Sequence, residues 1–96
     1  MKDEITLREL QAYIRNKDHH PDHKQGYFQK LIEEVGELSE MIRKNKRMGK
    51  KSEIKGTLEE ELYDVLYYVA ALANVHEIDL ETCCHLKEEV NEQKYG

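Results

Sequence analysis

The segment from Val65 to Val75 constrains the fold more than any other part of the chain. It reads Val-Leu-Tyr-Tyr-Val-Ala-Ala-Leu-Ala-Asn-Val, which makes a helix that is apolar on nearly every side. A helix of this kind must be buried all round. Because the apolar run is too short to cross a bilayer, other helices of a globular protein must cover it.

The rest of the sequence supplies such helices. One proline and five glycines leave few helix breakers, and apolar residues recur at helical spacing in four places. Thr6 with Glu9, and Thr57 with Glu60, have the spacing of capping boxes, which mark helix beginnings. The predicted helices run from about Thr6 to Asn16, from Tyr27 to Lys46, from Thr57 to Val75, and from Asp79 to the C-terminus.

The predicted fold is an all-α, four-helix bundle in which residues 1–96 form one domain. A monomer of this size would cover one broad face of the third helix, so we expect a homodimer or a higher oligomer. The residues of the third helix that are expected to meet the second copy are Leu66, Tyr67, Ala70 and Ala73. The second helix has an apolar stripe of its own, which contains Phe28, Leu31, Ile32, Val35, Leu38 and Ile42.

Composition excludes several classes of protein. A charged fraction of 36% and a formal net charge of -5 fit a soluble globular domain better than a disordered or membrane chain. The N-terminal Met1-Lys2-Asp3-Glu4 lacks an apolar signal segment, so the expected compartment is the cytoplasm. Cys83 and Cys84 are adjacent, which suits neither a disulfide framework nor a zinc site.

Two carboxylate pairs stand out from an otherwise Glu-rich sequence. Glu34 and Glu37 are three residues apart, so they project from one side of a helix and can bind one ion together. Glu34 also borders the apolar stripe of its helix. In the third helix, Glu61, Asp64 and Tyr68 form a second line beside the apolar residues.

The two pairs together predict a metal site. If the second and third helices pack antiparallel, four negative charges meet in a partly buried place, where their repulsion is costly without cations. Carboxylate oxygens suit Mg²⁺, whose remaining coordination positions suit phosphate oxygens, and Mn²⁺ is an expected substitute. The alternative, that these are solvated surface carboxylates, is preferred for Glu33, Glu40, Glu59 and Glu60.

Longer motifs surround both pairs. Lys30-Leu31-Ile32-Glu33-Glu34-Val35-Gly36-Glu37-Leu38-Ser39-Glu40, followed by Glu60-Glu61-Leu62-Tyr63-Asp64-Val65-Leu66-Tyr67-Tyr68, closely resembles the paired motifs of the MazG-like, all-alpha nucleoside triphosphate pyrophosphohydrolases. The resemblance continues through Ala73-Asn74 and Ile78-Asp79-Leu80-Glu81 into Lys87, Asn91, Lys94 and Tyr95. Many relatives carry tryptophans around the base pocket, and this chain has none, so their base preference does not transfer.

The resemblance implies Mg²⁺-dependent hydrolysis of a (deoxy)nucleoside triphosphate, including non-canonical nucleotides, to the monophosphate and pyrophosphate. Two related enzyme activities stay open, those of a helical dUTPase and a phosphoribosyl-ATP pyrophosphohydrolase. So does a non-catalytic helical dimer that binds nucleotide or metal. The residues that the resemblance implies are the catalytic metal ligands Glu34, Glu37, Glu61 and Asp64, and the nucleotide-binding Tyr68, Lys87 and Asn91.

Two polar segments have competing interpretations. His19, His20 and His23 could bind a transition metal or touch the substrate, but a solvated loop is preferred. Seven of the fifteen Lys and Arg residues fall between Arg43 and Lys55 and could steer phosphates. A favourable helix C-terminus followed by a solvated linker is preferred there, and nucleic-acid binding is not expected.

Overall fold

The computed structural model describes residues 1–49 and 53–95. Within these ranges the chain has no strand, and no helix combines the length and apolarity that a membrane crossing requires. A short 3-10 turn, Pro21–His23, precedes the second helix, which begins and ends slightly earlier than the sequence predicts. The all-α, four-helix prediction is confirmed. The helices are α1 (Leu7–Lys17), α2 (Lys24–Lys44), α3 (Leu58–Val75) and α4 (Leu80–Tyr95).

Local hydrogen bonds set the helix beginnings. Thr6 Oγ1 accepts from the Glu9 backbone N–H at 3.0 Å, and the Glu9 carboxylate accepts from the Thr6 N–H at 2.9 Å, so the predicted capping box is present. At α3, Thr57 accepts from the Glu60 N–H at 3.2 Å. The Glu60 carboxylate instead accepts from the Gly56 N–H at 2.7 Å, because Gly56 turns the chain with a φ of 76°.

Helices α2 and α3 run antiparallel, as the metal-site prediction requires. At one end, the Leu58 N–H donates to the Lys46 carbonyl at 2.8 Å, and Glu59 accepts from Arg47 Nε at 2.8 Å. At the other end, Tyr27 near the beginning of α2 and Tyr67 in the middle of α3 both donate to Asp18. The end of α2 therefore lies beside the beginning of α3.

The core forms where α1 packs against α3. Ile14 of α1 belongs to one buried cluster with Ala70 and Ala71 of α3. Ala70 is 1% exposed and Ala73 is 7% exposed within a single chain. The prediction that these alanines meet a second copy is therefore wrong, because the chain itself buries them. Tyr67 also packs against this core and donates to Asp18 within the same chain.

The apolar stripe of α2 is wider than α3 can cover. Leu31 and Leu38 are half-buried, but the other members of the predicted stripe are exposed, among them Ile32 at 54%. Within the described residues, the chain therefore covers only part of the predicted stripe. An exposed apolar face results, which consists of Phe28, Ile32, Val35 and Ile42 of α2 with Leu62 and Leu66 of α3.

A buried pair of amides fastens α4 to the other helices. Gln11 Nε2 donates to Asn74 Oδ1 at 2.9 Å and to the Ile78 carbonyl at 2.8 Å. Asn74 Nδ2 returns a bond to the Gln11 carbonyl at 2.9 Å, and the Leu80 N–H donates to Gln11 Oε1 at 2.8 Å. After this anchored beginning, residues 82–90 of α4 are exposed, and they include the free thiols of the two cysteines.

We expect Asn74→Ala to lower the free energy of unfolding by about 2–3 kcal/mol, because it removes the two buried hydrogen bonds between the Asn74 side chain and Gln11. Urea denaturation followed by circular dichroism measures the change. Asn16→Ala, at an exposed position of α1, is the matched control and should cost less than about 1 kcal/mol. Equal losses in the two variants would contradict a special role for the amide pair.

Candidate metal centre

Three carboxylates meet where α2 crosses the first two turns of α3. Glu34, Glu61 and Asp64 each offer one oxygen, and these oxygens lie within 4.8 Å of one another. Glu61 and Asp64 are three residues apart on α3 and therefore share a side, and the antiparallel packing places Glu34 opposite them. Glu61 is only 8% exposed, and the other two are half-buried.

Two oxygens of this cluster have no protein partner. Glu34 Oε2 and Glu61 Oε2 are buried and accept no hydrogen bond. Among the described residues, no Lys, Arg or His forms an ion pair with Glu34, Glu61 or Asp64. Buried carboxylate oxygens without donors or cations are costly, so the protein alone leaves this site electrostatically incomplete.

The pKa values of the cluster reflect that cost. Burial, followed by the neighbouring Glu34 carboxylate and the charges of Glu37 and Asp64, raises the pKa of Glu61 to about 7. Burial also raises the pKa of Glu34, with further contributions from the charges of Glu37 and Asp64. The pKa of Asp64 is raised by burial and by the charges of Glu60 and Glu37. At neutral pH the cluster therefore resists carrying its full negative charge.

A hard divalent cation fits this donor set. Oxygen ligands of Mg²⁺ or Ca²⁺ lie at about 2.0–2.6 Å, so ligands on opposite sides of the ion are about 4–5 Å apart. The 4.8 Å spread of the three oxygens agrees with that span. A cation would also serve the partnerless oxygens of Glu34 and Glu61. The chemistry of the site therefore matches a metal bound through oxygen.

The other predicted carboxylate of α2 lies at the border of the cluster. Glu37 is exposed, and its charge raises the pKa values of Glu34, Glu61 and Asp64, but its carboxylate is not one of the three clustered groups. The neighbouring Glu33 has a 64% exposed side chain, 3.8 Å from the Lys30 ammonium. The structure thus places Glu34 in the cluster and Glu33 outside it.

Tyr68 lies between two open pockets. The smaller one, of about 330 Å³, contains Glu34 and Asp64 of the cluster. The larger one, of about 400 Å³, lies at the beginning of α2. Both have the size of small-molecule sites. The smaller pocket is completed by Lys17, Tyr63 and Tyr67, and the larger is lined by Asp18, His20, His23, Gly26, Tyr27, Gln29, Lys30 and Glu33.

Asp18 holds the walls of both pockets, and the sequence reasoning missed it. Its two carboxylate oxygens accept from the hydroxyls of Tyr27 and Tyr67, each at 2.8 Å. Burial alone would raise the pKa of Asp18, but these two hydrogen bonds lower it below its usual value. The feature of the sequence that could have indicated Asp18 is its position directly after α1. There, its N–H donates the last hydrogen bond of the helix, to the Ile14 carbonyl.

The structure does not bring Lys87 and Asn91 to the carboxylates. Lys87 is exposed on α4, and Asn91 Nδ2 donates to Glu88 of the same helix at 3.1 Å. In the described part of the chain, neither forms a hydrogen bond or ion pair with Glu34 or Glu61. Their proposed contact with a nucleotide stays a prediction.

The two polar segments follow their preferred interpretations only in part. The rings of His20 and His23 stack at 5.8 Å and line the larger pocket, and among the described residues the loop histidines form no metal-ligand group. In the basic segment, Arg43 lies within ion-pair distance of Glu40 and Arg47 of Glu59, as in a solvated helix end. Lys50 and Lys51 lie outside the described residues.

Comparison with known proteins identifies the family. Residues 22–87 match the model of the MazG nucleotide pyrophosphohydrolase domain. The chain belongs to the MazG family. The matched segment contains all four predicted metal ligands and Tyr68, and it ends at Lys87. Lys17, Asp18 and Asn91 lie outside it.

Solved structures agree with this MazG assignment. Two crystal structures of iMazG from Vibrio DAT 722 are 53% identical to the chain. The alignment with the C-tagged form covers 92% of this chain and 99% of the iMazG chain, with a TM-score of 0.84. The N-tagged form covers 96% and 99%, with a TM-score of 0.87. Uncharacterized protein YpjD of Bacillus subtilis (strain 168) is 35% identical, with 79% of this chain and 74% of YpjD covered.

The cluster predicts a pH-dependent stability in the metal-free MazG protein. Glu61 keeps its proton in the fold up to about pH 7, whereas the unfolded chain loses it near 4.5. Its contribution to stability is therefore highest below pH 4.5 and falls as the pH rises to 7. We expect Glu61→Gln to gain stability over the wild type progressively across this window when metal is removed with EDTA.

Urea denaturation at pH 4.5, 6 and 8 measures that difference, and saturating Mg²⁺ should reverse it by stabilising only the wild type. Glu33→Gln, which changes an exposed carboxylate, is the matched control and should show no such trend. A difference between Glu61→Gln and the wild type that does not change with pH would contradict the raised pKa.

Proposed function

We propose that this protein is a Mg²⁺-dependent nucleoside triphosphate pyrophosphohydrolase of the cytoplasm, which converts (deoxy)nucleoside triphosphates, non-canonical ones included, to the monophosphate and pyrophosphate. The observation that carries the proposal is the carboxylate cluster with its two partnerless buried oxygens, beside a pocket of small-molecule size that Glu34 and Asp64 line. Membership of the MazG family supports the reaction class.

Glu34, Glu61 and Asp64 would hold the Mg²⁺ ion, and Glu37 lies one helical turn away, near enough to join them. When bound, the ion supplies charge neutralisation for the phosphates and lowers the pKa of a coordinated water. The carboxylates of this cluster can also accept a hydrogen bond from the attacking water and orient it toward the phosphorus atom. Antiparallel packing of α2 and α3 fixes these groups before the substrate arrives.

The pocket pair suggests how a nucleotide would lie. The phosphates would occupy the smaller pocket beside Glu34 and Asp64, and the nucleoside would extend past Tyr68 into the larger one. There, the ring of Tyr27 and the stacked His20 and His23 offer flat surfaces for a base. These walls contain aromatic rings but no tryptophan, so the base preference of relatives does not transfer to them. A panel of substrates would identify the favoured base. The same panel would separate the dUTPase and phosphoribosyl-ATP pyrophosphohydrolase activities.

We expect Glu34→Gln to lower kcat at saturating nucleotide by at least about 100-fold, because it removes a cluster oxygen that no protein group replaces. Glu33→Gln is the matched control one residue away, and its kcat should stay within about threefold of the wild type. Pyrophosphate release with Mg²⁺, compared with an EDTA control, measures both.

A larger loss in Glu33→Gln than in Glu34→Gln would show that the wrong member of the Glu33–Glu34 doublet is assigned to the metal, and equal losses would contradict the distinction between the two. The panel should contain ordinary and modified nucleoside triphosphates. A wild-type protein that binds these nucleotides with Mg²⁺ but releases no pyrophosphate from any of them would favour the non-catalytic alternative, a helical dimer that binds nucleotide or metal.

We also propose that the active unit is a homodimer or tetramer that buries the exposed apolar face of α2 and α3. Large apolar patches on a small domain are typical of interaction surfaces. Gly36 supports close approach of a second copy at the edge of this face. A glycine inside a helix lowers helix stability by about 1 kcal/mol relative to alanine. No neighbour in the described chain explains this glycine, because none lies within 4 Å of the position that a Cβ would occupy. A second copy is also a route by which Lys87 and Asn91 can reach a carboxylate cluster.

Ile32→Lys should weaken assembly without unfolding the chain, because Ile32 is mostly exposed and a charge there opposes burial of the face. Sedimentation across a wide range of protein concentration measures the effect. Ala12→Lys, at an exposed position of α1, introduces the same side chain elsewhere and should leave assembly unchanged. A wild-type protein that is a fully active monomer would contradict the proposal.

A further inference from the structure

The last residue of α1, Lys17, lines the smaller pocket. Its ammonium nitrogen is 5.1 Å from the ring centroid of Tyr13 and 5.2 Å from that of Tyr67. Glu34 and Asp64 line the same pocket. A cation and two of the clustered carboxylates therefore line one cavity.

Lys17 approaches the cluster without pairing with it. Among the described residues, it forms no ion pair with a carboxylate within 4.0 Å, although its charge contributes to the lowered pKa of the adjacent Asp18. The faces of Tyr13 and Tyr67 hold the ammonium instead, which is a weak interaction at an exposed site. Since an ammonium carries three donors and tyrosine faces use none of them as ordinary hydrogen bonds, its donors remain available for a ligand.

A ligand of high negative charge needs such a group at this position. A divalent cation held by these three carboxylates would have its charge more than balanced by them, so it would leave much of the charge of a phosphate chain uncompensated. Lysine is a common phosphate-binding residue because it offers a compact charge. The rings of Tyr13 and Tyr67 orient the side chain toward the pocket in advance, which lowers the entropy lost when it binds.

We infer that Lys17 is a substrate-binding residue that contacts the phosphate chain of the nucleotide in the pocket that it shares with Glu34 and Asp64. This inference rests on the proposed function, because it assigns a further residue to the same site. The competing explanation is structural: Lys17 would merely stabilise the end of α1 through the helix dipole and the tyrosine faces. The two explanations differ in nucleotide affinity.

The test compares Lys17→Met, Lys17→Arg and the matched control Lys44→Met, which removes one charge from the exposed end of α2. The first readout is the affinity for an α,β-methylene deoxynucleoside triphosphate in Mg²⁺, measured by calorimetry. The second is KM and kcat for pyrophosphate release. The third is Mn²⁺ binding without nucleotide, followed by electron paramagnetic resonance.

We expect Lys17→Met to weaken analogue binding and raise KM by about tenfold or more, as for the loss of a charged hydrogen bond. Lys17→Arg should recover most of the affinity, and Lys44→Met should stay within about twofold of the wild type. Mn²⁺ affinity should not fall in Lys17→Met, because the lysine repels a cation at the cluster. Circular dichroism checks that each variant is folded.

Unchanged analogue affinity in a folded Lys17→Met would overturn the inference, whatever the wild-type activity. Weaker Mn²⁺ binding in that variant, or failure of Lys17→Arg to recover affinity, would assign Lys17 a structural role and likewise overturn it. A wild-type protein that binds the analogue through Lys17 but releases no pyrophosphate would sustain the inference and overturn only the proposed catalysis. A wild-type protein with no affinity for the analogue would overturn both.

Discussion

The packing of α2 against α3 places carboxylates where the chain supplies no counter-charge. Most buried acidic groups have donors or cationic partners, yet Glu34 and Glu61 each keep an oxygen without one. Part of the cost is offset locally, since Glu61 lies in the first turn of α3, where the positive end of the helix dipole stabilises negative charge. The rest is reflected in the raised pKa values of the cluster. The geometry of α1, the loop and both pockets is arranged around this antiparallel pair.

The free-energy cost of burying these carboxylates is offset by tight packing on the other side of α3. Ala70 and Ala71 let α1 approach closely, and Ile14 is fully buried in the resulting core. The amides of Gln11 and Asn74 satisfy each other in the same interface and fix where α4 begins. One side of the helix thus provides stability and the other provides chemistry. This division is common in sites whose charged groups oppose folding.

The sequence predicted what depends on local spacing. The capping box at Thr6 is local, and the difference between Glu33 and Glu34 follows from their angle around one helix. The sequence could not predict which partner covers Ala70, because small apolar residues suit contact within a chain and between chains equally well. The contact of Asp18 with Tyr67 spans 49 residues and has no periodic signal. The roles of Lys87 and Asn91, and the oligomeric state, stay predictions.

The two hydroxyl contacts of Asp18 have a consequence for how the site opens. The Asp18 carboxylate at the end of α1 accepts from Tyr27 of α2 and from Tyr67 of α3, so one side chain links three helices. Fraying of the last turn of α1 would release a wall of each pocket at the same moment. A ligand that orders one of these walls through Asp18 would therefore also restrain a wall of the neighbouring cavity.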